Sequence, residues 1–147
     1  MPTHIFVNLP TSDLERAKAF YTALGFGINP DFTDENAACI VVDENVYFMV
    51  LVRDYFATFT DKQVVDPGTH AQVLTALSRD SRDEVDAIVE RGLKAGGREP
   101  REAQDYGFMY NRDIEDPDGN ILEFLYMDPH AAEVGPEQYL AEQGAAS

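Results

Sequence analysis

Residues 106–129 read YGFMYNRDIEDPDGNILEFLYMDP, two alternating runs around a tight turn. Pro117 presets φ, Asp118 tolerates the bend, and Gly119 takes the left-handed position. A type I turn closed by such a glycine predicts a three-residue hairpin loop with a G1 bulge. On that register Asp116 pairs with Asn120, and Asp113 falls across from Glu123. The strand period places Leu122, Phe124 and Tyr126 on one face, and Ile121, Glu123, Leu125 and Met127 on the other. Glu123 is then a mid-strand carboxylate among apolar neighbours, a costly place unless it is paired, solvated or used. The plain alternative is a glutamate facing open water on a half-buried sheet.

Working outward, residues 4–9 alternate around β-prone side chains and read as a strand, with Val7 and Leu9 on one face and Phe6 and Asn8 on the other. Thr11, Ser12 and Asp13 supply helix caps, and Leu14, Ala17, Phe20, Tyr21 and Leu24 recur at helical spacing before Gly25. Residues 26–32 are a weaker strand broken by Pro30. Residues 37–42 and 45–52 are clear strands. Residues 53–71 break the pattern, with a short helix near 54–60 followed by a linker. Residues 72–78 form a strand, Asp80 and Ser81 offer caps, and Val85, Ile88, Val89 and Leu93 form an apolar stripe that ends at Gly96-Gly97. A short strand near 98–103 leads into the hairpin. LPTSDLERAKAFYTALGF and LSRDSRDEVDAIVERGLKAGG share one plan of strand, acidic cap, amphipathic helix and glycine. The period is too long for a solenoid and predicts a duplicated βαβββ module. The predicted fold class is α+β: two such modules forming a curled mixed sheet around a cleft, as a single domain. Module one spans 3–53, the linker 54–71, module two 72–129, and a tail 130–147 covers an edge or frays.

The 147 residues suffice for one domain with a real core. Eleven basic against 27 acidic residues give a net charge of −16 and a pI near 4.3. That balance argues against nucleic acid and anionic membranes, which call for basic patches. No apolar run reaches bilayer length, and MPTHIFVNLP lacks the basic and apolar regions of a secretory signal. The lone Cys39 sits in AACIVV and reads as a buried strand thiol. The expected compartment is the cytoplasm.

DPDGNILEF resembles the closing hairpin of the vicinal oxygen chelate superfamily (glyoxalase, bleomycin resistance protein, extradiol dioxygenase), and VNLPTSDLERAKAFYTALGF resembles its opening strand and helix. The pattern is most similar to the lactoylglutathione-lyase-like branch. The resemblance implies a ligand cleft between modules and, in metal-using relatives, four metal ligands. Those positions fall at Phe6, near Leu51, at Leu74 and at Glu123. Only Glu123 is a ligand type, and one carboxylate does not hold a catalytic divalent ion. No metal and no cofactor are expected. His4, His70 and His130 read as surface residues.

Asp113 and Glu123 are the candidate catalytic pair, since two close carboxylates push one pKa up and create a general base. Asn8, Tyr47, Met49, Tyr106 and Asn111 are candidate substrate-binding residues, with core packing the competing account of Tyr47 and Met49. Arg112 has the wrong parity to pair with Glu123. The expected function is a glyoxalase- or dioxygenase-like action on a small organic molecule without the full metal-ligand set. The alternative is a binding or sequestering protein of the bleomycin-resistance type. A metal-dependent lyase or dioxygenase is disfavoured by the missing ligands. The expected partners are a small-molecule ligand and a second copy of the chain, because curled sheets leave open edges.

Overall fold

The computed structural model describes residues 2–146 and arranges them around two four-stranded mixed sheets. The first is built from β1 (Ile5–Thr11), β2 (Gly27–Asn29), β3 (Ala37–Asp43) and β4 (Val46–Val52), in the order β1-β4-β3-β2. The second repeats that order with β5 (Leu74–Ser78), β6 (Gln104–Asp105), β7 (Met109–Glu115) and β8 (Ile121–Met127), as β5-β8-β7-β6. In each, the first and last strands of the module pair in parallel, while the remaining pairs are antiparallel. Parallel pairing of β1 with β4 requires a crossover, and α1 (Leu14–Ala23) begins it; α3 (Arg82–Lys94) does the same in module two. The duplicated α+β plan read from the repeat is the one observed.

Both helices start at side chains placed to cap them. Asp13 accepts the Arg16 backbone N–H, and Ser81 accepts that of Glu84. The Glu84 carboxylate also accepts from the Asp80 N–H at 2.9 Å. Helix α1 buries Leu14, Ala17, Phe20 and Tyr21, and α3 buries Val85, Ile88, Val89 and Gly92. These stripes join Leu9, Ile40, Phe48 and Val50 from one sheet and Ile114, Leu122 and Phe124 from the other in a single core. Each large side chain there contributes about 1.5–3 kcal/mol by leaving water. At Gly92 a Cβ would lie 2.3 Å from the Ile114 Cδ1 of the same module and 3.1 Å from Leu24 of the other, so a side chain there would have to displace Ile114.

The DPDGN turn holds the modules together. Its register is the predicted one: Asp116 N–H donates to Asn120 O at 2.8 Å, Gly119 N–H to Asp116 O at 2.9 Å, and Asp113 stands opposite Glu123. The Asp116 carboxylate is buried and accepts from the backbone N–H groups of Asp118, Gly119 and Asn120, from the Asn120 amide, and from the Tyr21 hydroxyl of α1 at 2.7 Å. Asp118 reaches the start of the same helix, accepting from the Thr11 hydroxyl, the Ser12 N–H and hydroxyl, and Arg16. Asn120 donates back to Pro10 O at 3.1 Å.

One local reading differs from observation. The strand expected at 98–103 is an isolated bridge at Arg98 to Glu115 followed by β6 at Gln104–Asp105. Pro100 has no N–H to give a ladder, and the chain leaves the sheet between the two contacts. The tail forms α4 (Pro129–Val134) and α5 (Pro136–Ala146), with Asp128 capping the first. His130 lies on the surface, as expected, and pairs with Glu142 at 2.7 Å. The segment between modules opens with α2 (Arg53–Phe56) and a 3₁₀ turn at Ala57–Phe59.

Gly119 has φ +105°, and a Cβ there would lie 2.5 Å from Pro67 O of the connecting segment. Gly119→Ala is expected to lower unfolding free energy by about 2–3 kcal/mol in urea titration, from backbone strain plus displacement of Pro67. Burial, then the adjoining Asp116 carboxylate, raises the Tyr21 phenol well above its ordinary value near 10. The folded chain therefore keeps this proton to higher pH than the unfolded chain. The resulting stability is present below about pH 10 and is lost as pH rises beyond it. Tyr21→Phe should lower stability at pH 7 by about 1–3 kcal/mol, since Asp116 loses a donor, and should flatten the alkaline fall in melting temperature.

Candidate functional site

Alternation on β8 turns Leu122 and Phe124 into the core and leaves Glu123 on the opposite face. There it pairs with Asp113 on β7 and Ala76 on β5. Asp113 is buried, with its side chain 6% exposed, while that of Glu123 is 22% exposed. The two carboxylates do not stand alone. Arg101 donates from Nε to Asp113 at 2.5 Å and brings a terminal nitrogen to 3.9 Å from Glu123. Asn111 donates to the other Asp113 oxygen at 3.0 Å. The hydrogen bond it donates to Asp113 raises the Arg101 pKa above its ordinary value. A permanent cation thus offsets the like-charge repulsion that the strand register alone implies. Asp113 is occupied by internal partners. Glu123, at ion-contact rather than hydrogen-bond distance, keeps acceptor capacity toward the open face.

Arg101 is the residue that sequence reasoning missed. It is delivered by the excursion that replaces the expected strand. A signal was present: Arg98, Glu99 and Arg101 face Glu115, Arg112 and Asp113 with opposite charge at each contact. Arg112 lies on the helix side of β7, as its parity required, and is gripped by Asp86, Glu90 and Glu99.

The remaining candidates divide between two places. Asn8 and Met49 are paired neighbours on β1 and β4, as are Phe6 and Tyr47. Phe6 stacks on Tyr47 with centroids 4.7 Å apart, and His4 stacks on the same ring at 5.8 Å. The Tyr47 hydroxyl donates to Glu44 O at 2.9 Å. Met49 and Tyr47 are half-buried on the face away from the helices rather than in the core. Tyr106 is exposed at the β6–β7 turn and stacks on Phe108 at 5.9 Å. The structure gathers Glu123, Asp113 and Asn111 on sheet two, and Asn8, Tyr47 and Met49 on sheet one.

Of the four positions that the resemblance implies for metal ligands, Glu123 alone has a donor side chain. Phe6 and Leu74, on the open faces, are 52% and 55% exposed, and Leu51 is buried; none carries a donor atom. Among the described residues no group of three or more His, Cys, Asp or Glu side chains is gathered to hold an ion.

Residues 3–43 match the family described as Bleomycin resistance protein-like N-terminal. Among curated proteins none matches the chain. Several solved structures share its fold. A hypothetical protein of S. aureus is 25% identical, with 86% of this chain and 94% of that one covered and a TM-score of 0.72. A glyoxalase-related enzyme from Fulvimarina pelagi is 21% identical, with 86% and 88% covered and a TM-score of 0.71. A bleomycin resistance determinant encoded on the transposon Tn5 is 20% identical, with 86% and 99% covered and a TM-score of 0.59. The chain shares the fold of these proteins.

Arg101→Met leaves the Asp113 carboxylate buried without its cation. We expect a loss of stability by chemical denaturation. The double variant with Asp113→Asn should lose less than the sum of the two single variants, because the second change removes the stranded charge.

Proposed function

We propose that the protein binds a small organic molecule on the open sheet faces, without a tightly held metal, and that it does so as a homodimer. The observation that carries this reading is the pairing of exposed apolar side chains with one available carboxylate on those faces. Phe6 and Leu74 stand open, where a metal-using relative would present donors, and Glu123 retains acceptor capacity beside Arg101. Such a surface can hold an apolar ligand and accept one hydrogen bond from it. A second copy laid over these faces would cover apolar surface that a monomer leaves in water. That association would also oppose Asn8 and Met49 of one sheet to Glu123 of another. The free, buried Cys39 suits a reducing compartment such as the cytoplasm.

Binding or sequestration, as in proteins of the bleomycin-resistance type, is favoured over catalysis because Asp113 is tied to Arg101 and Asn111. A glyoxalase- or dioxygenase-like enzymatic reading keeps one support: the Glu123 side chain is partly exposed and free of a close hydrogen bond. In that reading Glu123 moves a proton of the bound ligand.

Sedimentation at micromolar concentration should return twice the 16.4 kDa chain mass, and Phe6→Glu or Leu74→Glu should shift it toward the monomer. Glu123→Gln should weaken binding of a ligand found by screening by about tenfold or more while leaving the melting temperature within a few degrees. A dimer-mass protein that binds nothing in such a screen would contradict the ligand function. Turnover of the methylglyoxal–glutathione adduct, lost in Glu123→Gln, would move the choice to the enzymatic reading.

A further inference from the structure

The connecting segment, residues 53–73, does more than join modules. Arg53 clamps it, donating to Val65 O at 3.0 Å and also to Val64 O. Val64 is buried by this fold-back. Between the clamped segment and the open face of sheet one lies a cavity of about 460 Å³. Its apolar walls are Leu51, Phe56, Phe59 and Val64. A second hollow of about 360 Å³ adjoins it, sharing Asn8, Leu51 and Phe59 and adding Met49 and Tyr55, with Asp31 and Asp34 also in its lining. Tyr55 meets Phe59 edge to face at 5.1 Å, and Phe59 remains 66% exposed. These volumes and this lining suit a compact, flat molecule.

Asn8, Gln63 and Gln72 line the larger cavity, and none of these side chains has a hydrogen-bond partner among the described residues. The charged lining residue is Lys62. Most cations of the chain are engaged: Arg16, Lys18, Arg82, Arg98, Arg101 and Arg112 all face carboxylates. Lys62 has no ion-pair partner among the described residues, in a chain where acidic residues outnumber basic ones 27 to 11. An ammonium and three amides around an apolar slot offer donors to an oxyanion and aromatic faces to its body. The net charge of −16 repels anions at long range. That field is screened beyond about 8 Å at physiological ionic strength, so the local cation decides selectivity inside the cavity.

We infer that the cavity between sheet one and the connecting segment takes a small aromatic carboxylate, its ring against Phe56 and Phe59 and its carboxylate on Lys62 and the neighbouring amides. This deepens the proposed function and rests on reading the open face of sheet one as a ligand surface. Arg53 holds the wall in place before the ligand arrives, which limits the ordering that binding must impose.

The test uses 1-naphthoate, the neutral 1-naphthamide and the cationic 1-naphthylmethylammonium, titrated calorimetrically into the full chain and into Lys62→Met and Phe59→Ala. Both substituted residues are exposed, and melting curves establish that the variants fold. The inference expects naphthoate to bind about tenfold or more tightly than naphthamide. Lys62→Met should abolish that preference, and Phe59→Ala should weaken both ligands. Equal or tighter binding of the amide or the ammonium would overturn the anion assignment while leaving the small-molecule reading of the open faces intact. Absence of binding by all three, or no change in Phe59→Ala, would overturn the cavity as the ligand seat. Glu123→Gln and the sedimentation measurement judge the wider proposal separately.

Discussion

The fold depends on one buried carboxylate. Asp116 sits at the end of β7 with both oxygens out of water, and five donors converge on it. Three come from its own turn, and these shape the hairpin that sets Glu123 opposite Asp113. Another comes from Tyr21 in the other module. Burial pushes the Asp116 carboxyl above its usual range despite the hydrogen bonds that favour its charged form. Desolvation therefore outweighs the hydrogen bonds in that balance, and an ionised Asp116 is tolerable only while its donors stay in place. One side chain thus couples the register of sheet two to the position of α1.

The two modules use the same plan for different ends. Their helix-bearing faces merge into one core, where Gly92 of α3 packs on Ile114 and Leu24. Their other faces remain open and are chemically unlike. Sheet one presents a stacked aromatic row of His4, Tyr47 and Phe6 beside Asn8 and Met49. Sheet two presents Glu123 beside a carboxylate already satisfied by Arg101. A metal-holding relative of this fold needs donors from both modules. Here three of the four positions that the resemblance implies carry Phe6, Leu51 and Leu74, and the fourth carries Glu123.

Arg101 illustrates how charge placement escapes strand-period reasoning. Period two located Asp113 and Glu123 side by side, and a pair of bare carboxylates suggested proton transfer. The chain leaves the sheet at Pro100, returns at Gln104, and on the way lays a guanidinium over both acids. Its position depends on an irregular path that no periodicity encodes, although the complementary order of charges in 98–101 and 112–115 carried a trace of it.

By itself the sequence determined the local elements and their pairing at the hairpin. Capping residues, helical stripes and the DPDG turn act within a few residues of themselves, so their outcome follows from short-range sterics and hydrogen bonding. The repeat of that plan was equally legible and carried the fold class. The tertiary structure alone decided which charges meet, which polar groups are left without partners, and where the connecting segment closes over sheet one. Those outcomes depend on residues far apart in the chain: Tyr21 with Asp116, Thr11 with Asp118, and Asn8 facing Lys62 across a cavity. Desolvation and Coulomb interaction act through space rather than along the backbone, so their result appears only once the modules are packed together.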